Sequence, residues 1–317
     1  MAMKRRTFVR NSALGSLALG LPFNVSSNMG TTEIPRRVLG KTGESLSIIG
    51  FGGIMLNDNT QKFANEFVAK AYDAGINYFD ISPEYGNAQE KLGLAFRPYR
   101  DRCFLACKTQ KRDSTEAEKQ LNESLKAFNT DHFDLYQLHA LSSVEEVEKA
   151  FAPGGAMEVF IRAREQGKVR FLGFSAHNVE AALLAMTKFE FDTILFPINF
   201  NCWNSGDFGP QVFVVARSKG MGILALKAMA LTTLGEDEKK LYKNVWYRPV
   251  QDDEIARLAL RFTLSKELTA AIPPGDEMFF WKAVEVARNF EPINADENGI
   301  LTRLATGLPP VFSHEMT

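Results

Sequence analysis

Residues 103–139, CFLACKTQKRDSTEAEKQLNESLKAFNTDHFDLYQLH, decide the fold. Two apolar runs, 103–109 and 133–139, flank a polar segment of helical period. Within it Leu121, Leu125 and Phe128 share one face, and Thr115 and Glu118 have the spacing of a capping box. The runs are continuously apolar rather than alternating, as expected of strands buried on both faces of a parallel sheet. The unit therefore reads as strand, helix, strand, and a titratable residue stands at or near the end of each strand, Lys108 and His139.

Outward from this unit the same rhythm repeats. Apolar runs recur at 46–53, 78–82, 169–176, 193–199, 222–229 and 268–274, making eight with the two above. Helical patterns lie between them. SVEEVEKAF opens with Ser143 and Glu146 in capping-box spacing, and EIARLALRFTL sets Ile255, Leu258, Ala259 and Phe262 on one face. Eight strands, each followed by a helical pattern, is the count of an α/β (β/α)8 TIM barrel. A doubly wound open sheet is the competing fold. It lacks its glycine fingerprint here, because GFGGIML after the first run is not G-x-G-x-x-G. RRVLGKTGESLS, before the first run, reads as an N-terminal β-hairpin plugging the barrel bottom.

Residues 1–34 stand apart from the barrel of 35–317. MKRRTFVRNSALGSLALGLPF has a basic start and an apolar run of about a dozen residues, too short to span a bilayer. Arg5-Arg6 followed by Thr7 and Phe8 resembles a twin-arginine export signal, which implies recognition by the export machinery and an exported, periplasmic protein.

Composition narrows the function. The chain has 317 residues and a formal net charge of -1, so no basic excess exists to neutralise nucleic-acid phosphates. Cys103 and Cys107 would lie about 13 Å apart on one strand, too far to bridge. The histidines are scattered without metal-ligand spacing, so no metal site is expected.

In a TIM barrel, polar residues where strands end point into the site. The second strand ends at Asp80 with Tyr85 in its loop, the third at Lys108 and the fourth at His139. Singly these read as an ion pair, a packing tyrosine and a rim histidine. Together they form a device. A free tyrosine has a pKa of about 10, and a neighbouring lysine cation favours the phenolate and lowers it. Asp80 keeps that lysine charged, and a neutral histidine opposite orients a carbonyl oxygen.

Over about residues 36–290 the chain resembles the aldo-keto reductases, on RRVLGKTGESLSIIGFGG, GINYFDISPEYGNAQEKLG, FLACKT, FDLYQLH and VRFLGFSAHN. The resemblance implies an NADP- or NAD-dependent oxidoreductase that moves hydride between nicotinamide and a small carbonyl or alcohol, sugars included. Tyr85 would be the proton donor, tuned by Lys108 and Asp80, with His139 holding the carbonyl. The nicotinamide would lie against Gly53 and Ile54. Ser175 matches the family's carboxamide-binding serine, whereas Ala176 replaces its asparagine. Pro197 stands for the usual glutamine, leaving Asn199 or Asn201 as substitutes. Leu226 aligns with an aromatic that stacks on nicotinamide, and Lys227 beside it is placed at the pyrophosphate. After the last strand, Pro274 and Gly275 approach the nucleotide. The family's basic residues for a 2′-phosphate are replaced there by Asp276 and Glu277, which opens the site to NAD(H).

Met55, Trp203, and Trp246 and Tyr247 in the long insertion after the seventh strand are the candidate substrate contacts. A non-catalytic nucleotide-binding barrel with a regulatory role is the alternative function, and a barrel hydrolase using Asp80 and His139 a remote third.

Overall fold

The computed structural model describes residues 33–235 and 237–314. The export-signal reading, which rests on Arg5 and Arg6, lies outside the described residues. The first element is a hairpin of β1 (Arg36–Val38) and β2 (Ser45–Ser47), antiparallel with Arg36 opposite Ser47. Leu39 and Leu46 pack in one apolar cluster with Tyr78, Phe104, Leu135, Leu195 and Leu224 from the barrel interior. The hairpin is the expected plug.

Eight parallel strands follow: β3 (Phe51–Gly52), β4 (Tyr78–Asp80), β5 (Phe104–Thr109), β6 (Phe133–Leu141), β7 (Val169–Ala176), β8 (Thr193–Pro197), β9 (Gly222–Leu226) and β12 (Ala270–Ile272). The sheet closes where Ile49 bridges Ala271: Gly50 N–H donates to Ala271 O at 3.0 Å and Ala271 N–H to Ile48 O at 2.9 Å. The run expected as one strand over 46–53 is thus divided. Its first part pairs within the hairpin, and its pairing changes to β12 around Ile49.

The outer ring carries α1 (Gln61–Asp73), α2 (Ala88–Phe96), α3 (Ser114–Phe128), α4 (Val144–Phe151), α5 (Ala156–Glu165), α6 (Val179–Lys188), α7 (Phe200–Asn204), α8 (Pro210–Ser218), α9 (Asp253–Leu264), α10 (Glu277–Arg288) and α11 (Ala295–Ala305). α3 buries Leu121, Leu125 and Phe128 as its period requires, but it starts earlier than the capping-box spacing implied. Asp113 caps it, accepting from Glu116 N–H at 2.9 Å, and Thr115 sits inside the helix. Ser143 caps α4 as expected, while the Glu146 carboxylate accepts from Ser142 N–H at 2.9 Å rather than from Ser143.

Two segments cross the mouth of the barrel. The long insertion is clasped at its base by β10 (Ala230–Thr232) and β11 (Arg248–Pro249), an antiparallel pair. Its far side ties to the β3–α1 connection through Asn57 Nδ2 to Asn244 Oδ1 at 3.3 Å and Lys243 to Asp58 at 3.1 Å. Behind α11 the chain returns as a strap. Thr232 Oγ1 donates to Pro309 O at 2.6 Å, and His314 N–H donates to Gly206 O at 2.7 Å while its ring pairs with Glu180 at 2.7 Å. The cysteines are free and buried, and no helix among the described residues is long and apolar enough to cross a membrane.

Candidate active site

Strand side chains alternate between barrel interior and helix layer. On β5, Phe104 and Ala106 belong to the interior cluster, so Lys108 continues their row at the C-terminal end. Tyr78 begins the corresponding row of β4 and Asp80 comes next, so each row passes from apolar to titratable as it nears the mouth.

Lys108 is fully buried, and its ammonium pairs with Asp80 Oδ1 and donates to Ile81 O at 3.2 Å. The second Asp80 oxygen accepts from Tyr78 OH at 3.3 Å. Burial is the largest influence on Lys108 and opposes its charge, but the Asp80 carboxylate and Tyr85 outweigh it, and its pKa is raised. Burial raises the Asp80 pKa as well, against the pull of Lys108, and the direct contact between carboxylate and ammonium is what favours the ionised pair.

Tyr85 follows a turn in which its N–H donates to Ser82 O at 3.1 Å. Glycine suits the next position on two counts. Gly86 has φ +57°, and a Cβ there would come within 2.2 Å of Asn57 Oδ1. The Lys108 ammonium lies 5.4 Å from the centroid of the Tyr85 ring, and the His139 ring meets that ring edge-on at 5.8 Å. Asp80, Tyr85, Lys108 and His139 thus form one group. One expectation changes. Burial raises the Tyr85 pKa by more than Lys108 lowers it, so the net direction is up and the phenol keeps its proton.

His139 is set by a strand bulge and two contacts. β6 bulges between Leu138 and Leu141, with Ala140 at φ +55°. Arg112 donates to His139 O at 2.6 Å, and Ser82 Oγ meets His139 Nδ1 at 3.0 Å. The Ser82 oxygen also accepts from Glu84 N–H at 3.3 Å; a Ser82 proton donated to Nδ1 would leave the imidazole proton on Nε2. Burial first, then the Lys108 charge, holds the His139 pKa well below the ordinary value, so the ring is neutral. Sequence reasoning missed Tyr78 and Ser82. Both stand two residues from Asp80, the spacing that puts strand side chains on one side.

Asp80 and Tyr85 line a cleft of about 240 Å³ together with Ile54, Leu226, Lys227, Gly275, Trp246 and Tyr247. Gly52 rather than Gly53, and Pro273 rather than Pro274, complete its wall. A model of the Aldo/keto reductase family matches residues 48–278. The chain belongs to that family. The family places it among the NAD(P)-dependent oxidoreductases.

Among relatives, L-galactose dehydrogenase of Arabidopsis thaliana is 24% identical over 223 residues, 65% of this chain and 68% of the relative. 6-Dehydroglucose reductase of Novosphingobium aromaticivorans is 29% identical over 63% of this chain and 68% of its own length. Aldo-keto reductase YhdN of Bacillus subtilis is 30% identical, but the match spans 44% of this chain and 46% of that relative. In fold, the chain is similar to the holo form of the aldo-keto reductase AKR11C1 from Bacillus halodurans, with TM-score 0.68, 19% identity, and 90% and 99% of the two chains covered. It is also similar to a Bombyx mori aldo-keto reductase in complex with NADP, with TM-score 0.63, 16% identity, and 86% and 93% covered.

This aldo/keto reductase departs from several sequence expectations. Ser175, expected at the carboxamide, is 1% exposed and its hydroxyl accepts from Ala140 N–H at 2.7 Å. Asn199 is fully buried as the cap of α7, accepting from Cys202 N–H at 2.9 Å and donating to Cys202 Sγ. Asn201 donates to Leu231 O at 2.7 Å. Met55 is buried in the core. Trp203 faces the outer layer, against Phe213 and Phe262 and under the Lys266 ammonium at 4.4 Å, because α7 turns it away from the mouth.

The wall fits the nicotinamide end of a dinucleotide. Leu226 and Ile54 are apolar, and Gly275 is bare of a Cβ that would approach Asn244 O and Ile54 Cγ2 to 2.9 Å. The segment Gly275–Glu277 after β12 carries no basic side chain. Asp276 caps α10, Glu277 accepts from Trp281 Nε1 at 3.2 Å, and Lys282 is paired with Asp253.

Proposed function

We propose that this aldo/keto reductase reduces small carbonyl compounds, sugars among them, with Tyr85 as general acid. The observation that carries the reading is the ionised Asp80–Lys108 pair buried beside a protonated phenol, with a neutral imidazole against the same ring. A carbonyl oxygen held between the Tyr85 hydroxyl and His139 Nε2–H accepts a hydrogen bond from each. Bound nicotinamide supplies the hydride to the carbonyl carbon. As charge grows on the oxygen, Tyr85 gives up its proton, and the Lys108 cation stabilises the phenolate left behind. The raised pKa of Tyr85 suits this direction, since the donor form persists at neutral pH.

Sugar substrates are proposed from the sugar-related names of two relatives. NAD(H) is proposed to bind at least as well as NADP(H), because Asp276 and Glu277 replace a basic clamp. Tyr85→Phe is the test. Turnover of aldoses should fall by about 10²–10⁴-fold, while nucleotide titration by fluorescence stays unchanged. Undiminished turnover would remove Tyr85 from the chemistry.

The commitment of Ser175 and Asn199 to the protein's own backbone favours a second reading, a barrel that binds nucleotide without turnover. A wild-type protein that binds NAD(P)H but oxidises it with no carbonyl in a broad panel would support that reading.

The proposed location is the periplasm, from Arg5 and Arg6. Cofactor would be loaded before export and held, one substrate reducing it and another reoxidising it. Replacing both arginines by lysine should leave the protein in the cytoplasmic fraction. Periplasmic protein that releases no nucleotide on denaturation would refute the loading.

A further inference from the structure

Lys227 ends β9 with φ +62° and turns its side chain inward, 9% exposed. Nζ lies 3.3 Å from His177 Nε2 and 5.3 Å from the ring centroids of both Trp246 and Phe312. Trp246 comes from the insertion and Phe312 from the C-terminal strap, and the His177 ring stacks on Phe312 at 5.0 Å. Two aromatic faces suit an ammonium. No carboxylate among the described residues supports it, however. Burial pulls its pKa down to about 7, and only the Cys202 thiol works the other way.

A buried cation without a counter-ion is costly. Lys227 is also the one basic residue among the described residues that line the cleft shared with Asp80 and Tyr85. The sequence placed it at the cofactor's pyrophosphate; in the structure it lines the same cleft as Tyr85, within which a carbonyl compound would meet both. Lys227 and His177 both depress the pKa of His139, the residue that orients the carbonyl. His177, itself neutral with its pKa lowered to about 3 by burial and then by Lys227, accepts from the amine and fixes its direction.

We propose that Lys227 is the receptor for an anionic group on the substrate: the carbonyl compound carries a carboxylate, as a sugar acid or an oxo acid does. The inference rests on the reductase reading above. A single lysine with no arginine in the wall supplies one positive charge, which one carboxylate neutralises fully and a dianionic phosphate exceeds.

Binding and turnover are measured separately on the full-length protein. Glucuronate, glucose and glucose 6-phosphate are titrated calorimetrically into wild type and Lys227→Met, with Lys227→Gln as the second variant should the first not fold. Glucuronate should bind wild type at least tenfold more tightly than glucose, and the variant should lose that preference while its affinity for NAD(P)H is unchanged. The same preference should appear in KM for glucuronate reduction. Equal glucuronate binding by wild type and variant overturns the proposal, as does a variant whose loss is in nucleotide affinity. Tighter binding of glucose 6-phosphate overturns the carboxylate assignment. Glucuronate bound through Lys227 but never reduced overturns the reductase reading and leaves the anion receptor standing.

Discussion

Ser82 Oγ, two residues beyond the end of β4, and His139 Nδ1 near the end of β6 lie 3.0 Å apart, reaching past the β5 strand that carries Lys108. This contact holds the imidazole in place, and with Ser82 as donor to Nδ1 it would present Nε2–H to a carbonyl. Ser82→Ala removes one hydrogen bond, worth about 1 kcal/mol. A loss in kcat of roughly five- to tenfold follows, with little change in thermal stability. Steady-state kinetics beside a melting curve checks it, and a large fall in melting temperature with normal kcat would contradict the assignment.

Asp80→Asn leaves the Lys108 ammonium buried without its counter-charge. Breaking a buried pair from one side costs about 3–5 kcal/mol. Urea unfolding should register that loss. The double change Asp80→Asn with Lys108→Met should recover part of it, since no unpaired charge then remains.

Acid should weaken the fold before it affects Tyr85. His139 and His177 both have depressed pKa values, His177 at about 3, chiefly through burial. Below the unfolded histidine pKa of about 6.5 the unfolded chain takes up protons that the folded chain refuses. Stability is therefore full above that pH and declines as pH falls below it, with a slope approaching two protons from these groups. The raised Tyr85 pKa predicts no loss of kcat from Tyr85 itself on the alkaline side until about pH 10 or above, whereas Lys227, with a pKa of about 7, should bind an anionic substrate more weakly above neutrality. Unfolding and rate profiles against pH give the two answers independently.

Ala140 holds a left-handed conformation that costs an L-residue about 1–2 kcal/mol. Glycine would relieve that strain and lose about 0.4–1 kcal/mol through a freer unfolded chain. Ala140→Gly should thus melt at or slightly above the wild-type temperature. It should also turn over more slowly, because the bulge that aims His139 is loosened.

The barrel was legible because its signals are local and repeated. Continuous apolar runs, helical stripes such as Leu121–Leu125–Phe128, and the plug around GKTG each lie within a few residues. The four catalytic candidates were legible for the same reason, each standing at or just beyond a strand end. Residues whose role depends on distant partners were not. Asn199 looks like a cofactor contact until α7 begins beside it and takes its amide as a cap. Trp203 looks like a substrate contact until the same short helix turns it toward α8 and α9. Phe312 arrives at Lys227 from 85 positions further along the chain, and nothing local to either announces the meeting.

The strap that carries Phe312 and His314 has a practical consequence for handling the protein. A purification tag fused behind it would tug on the aromatic wall around Lys227, and a tag at the other end would mask Arg5 and Arg6. The exposed turn at Gly167, between α5 and β7, has open space where a side chain would extend and lies at the opposite end of the barrel from the cleft. A label inserted there would report on the protein with both ends left as they are.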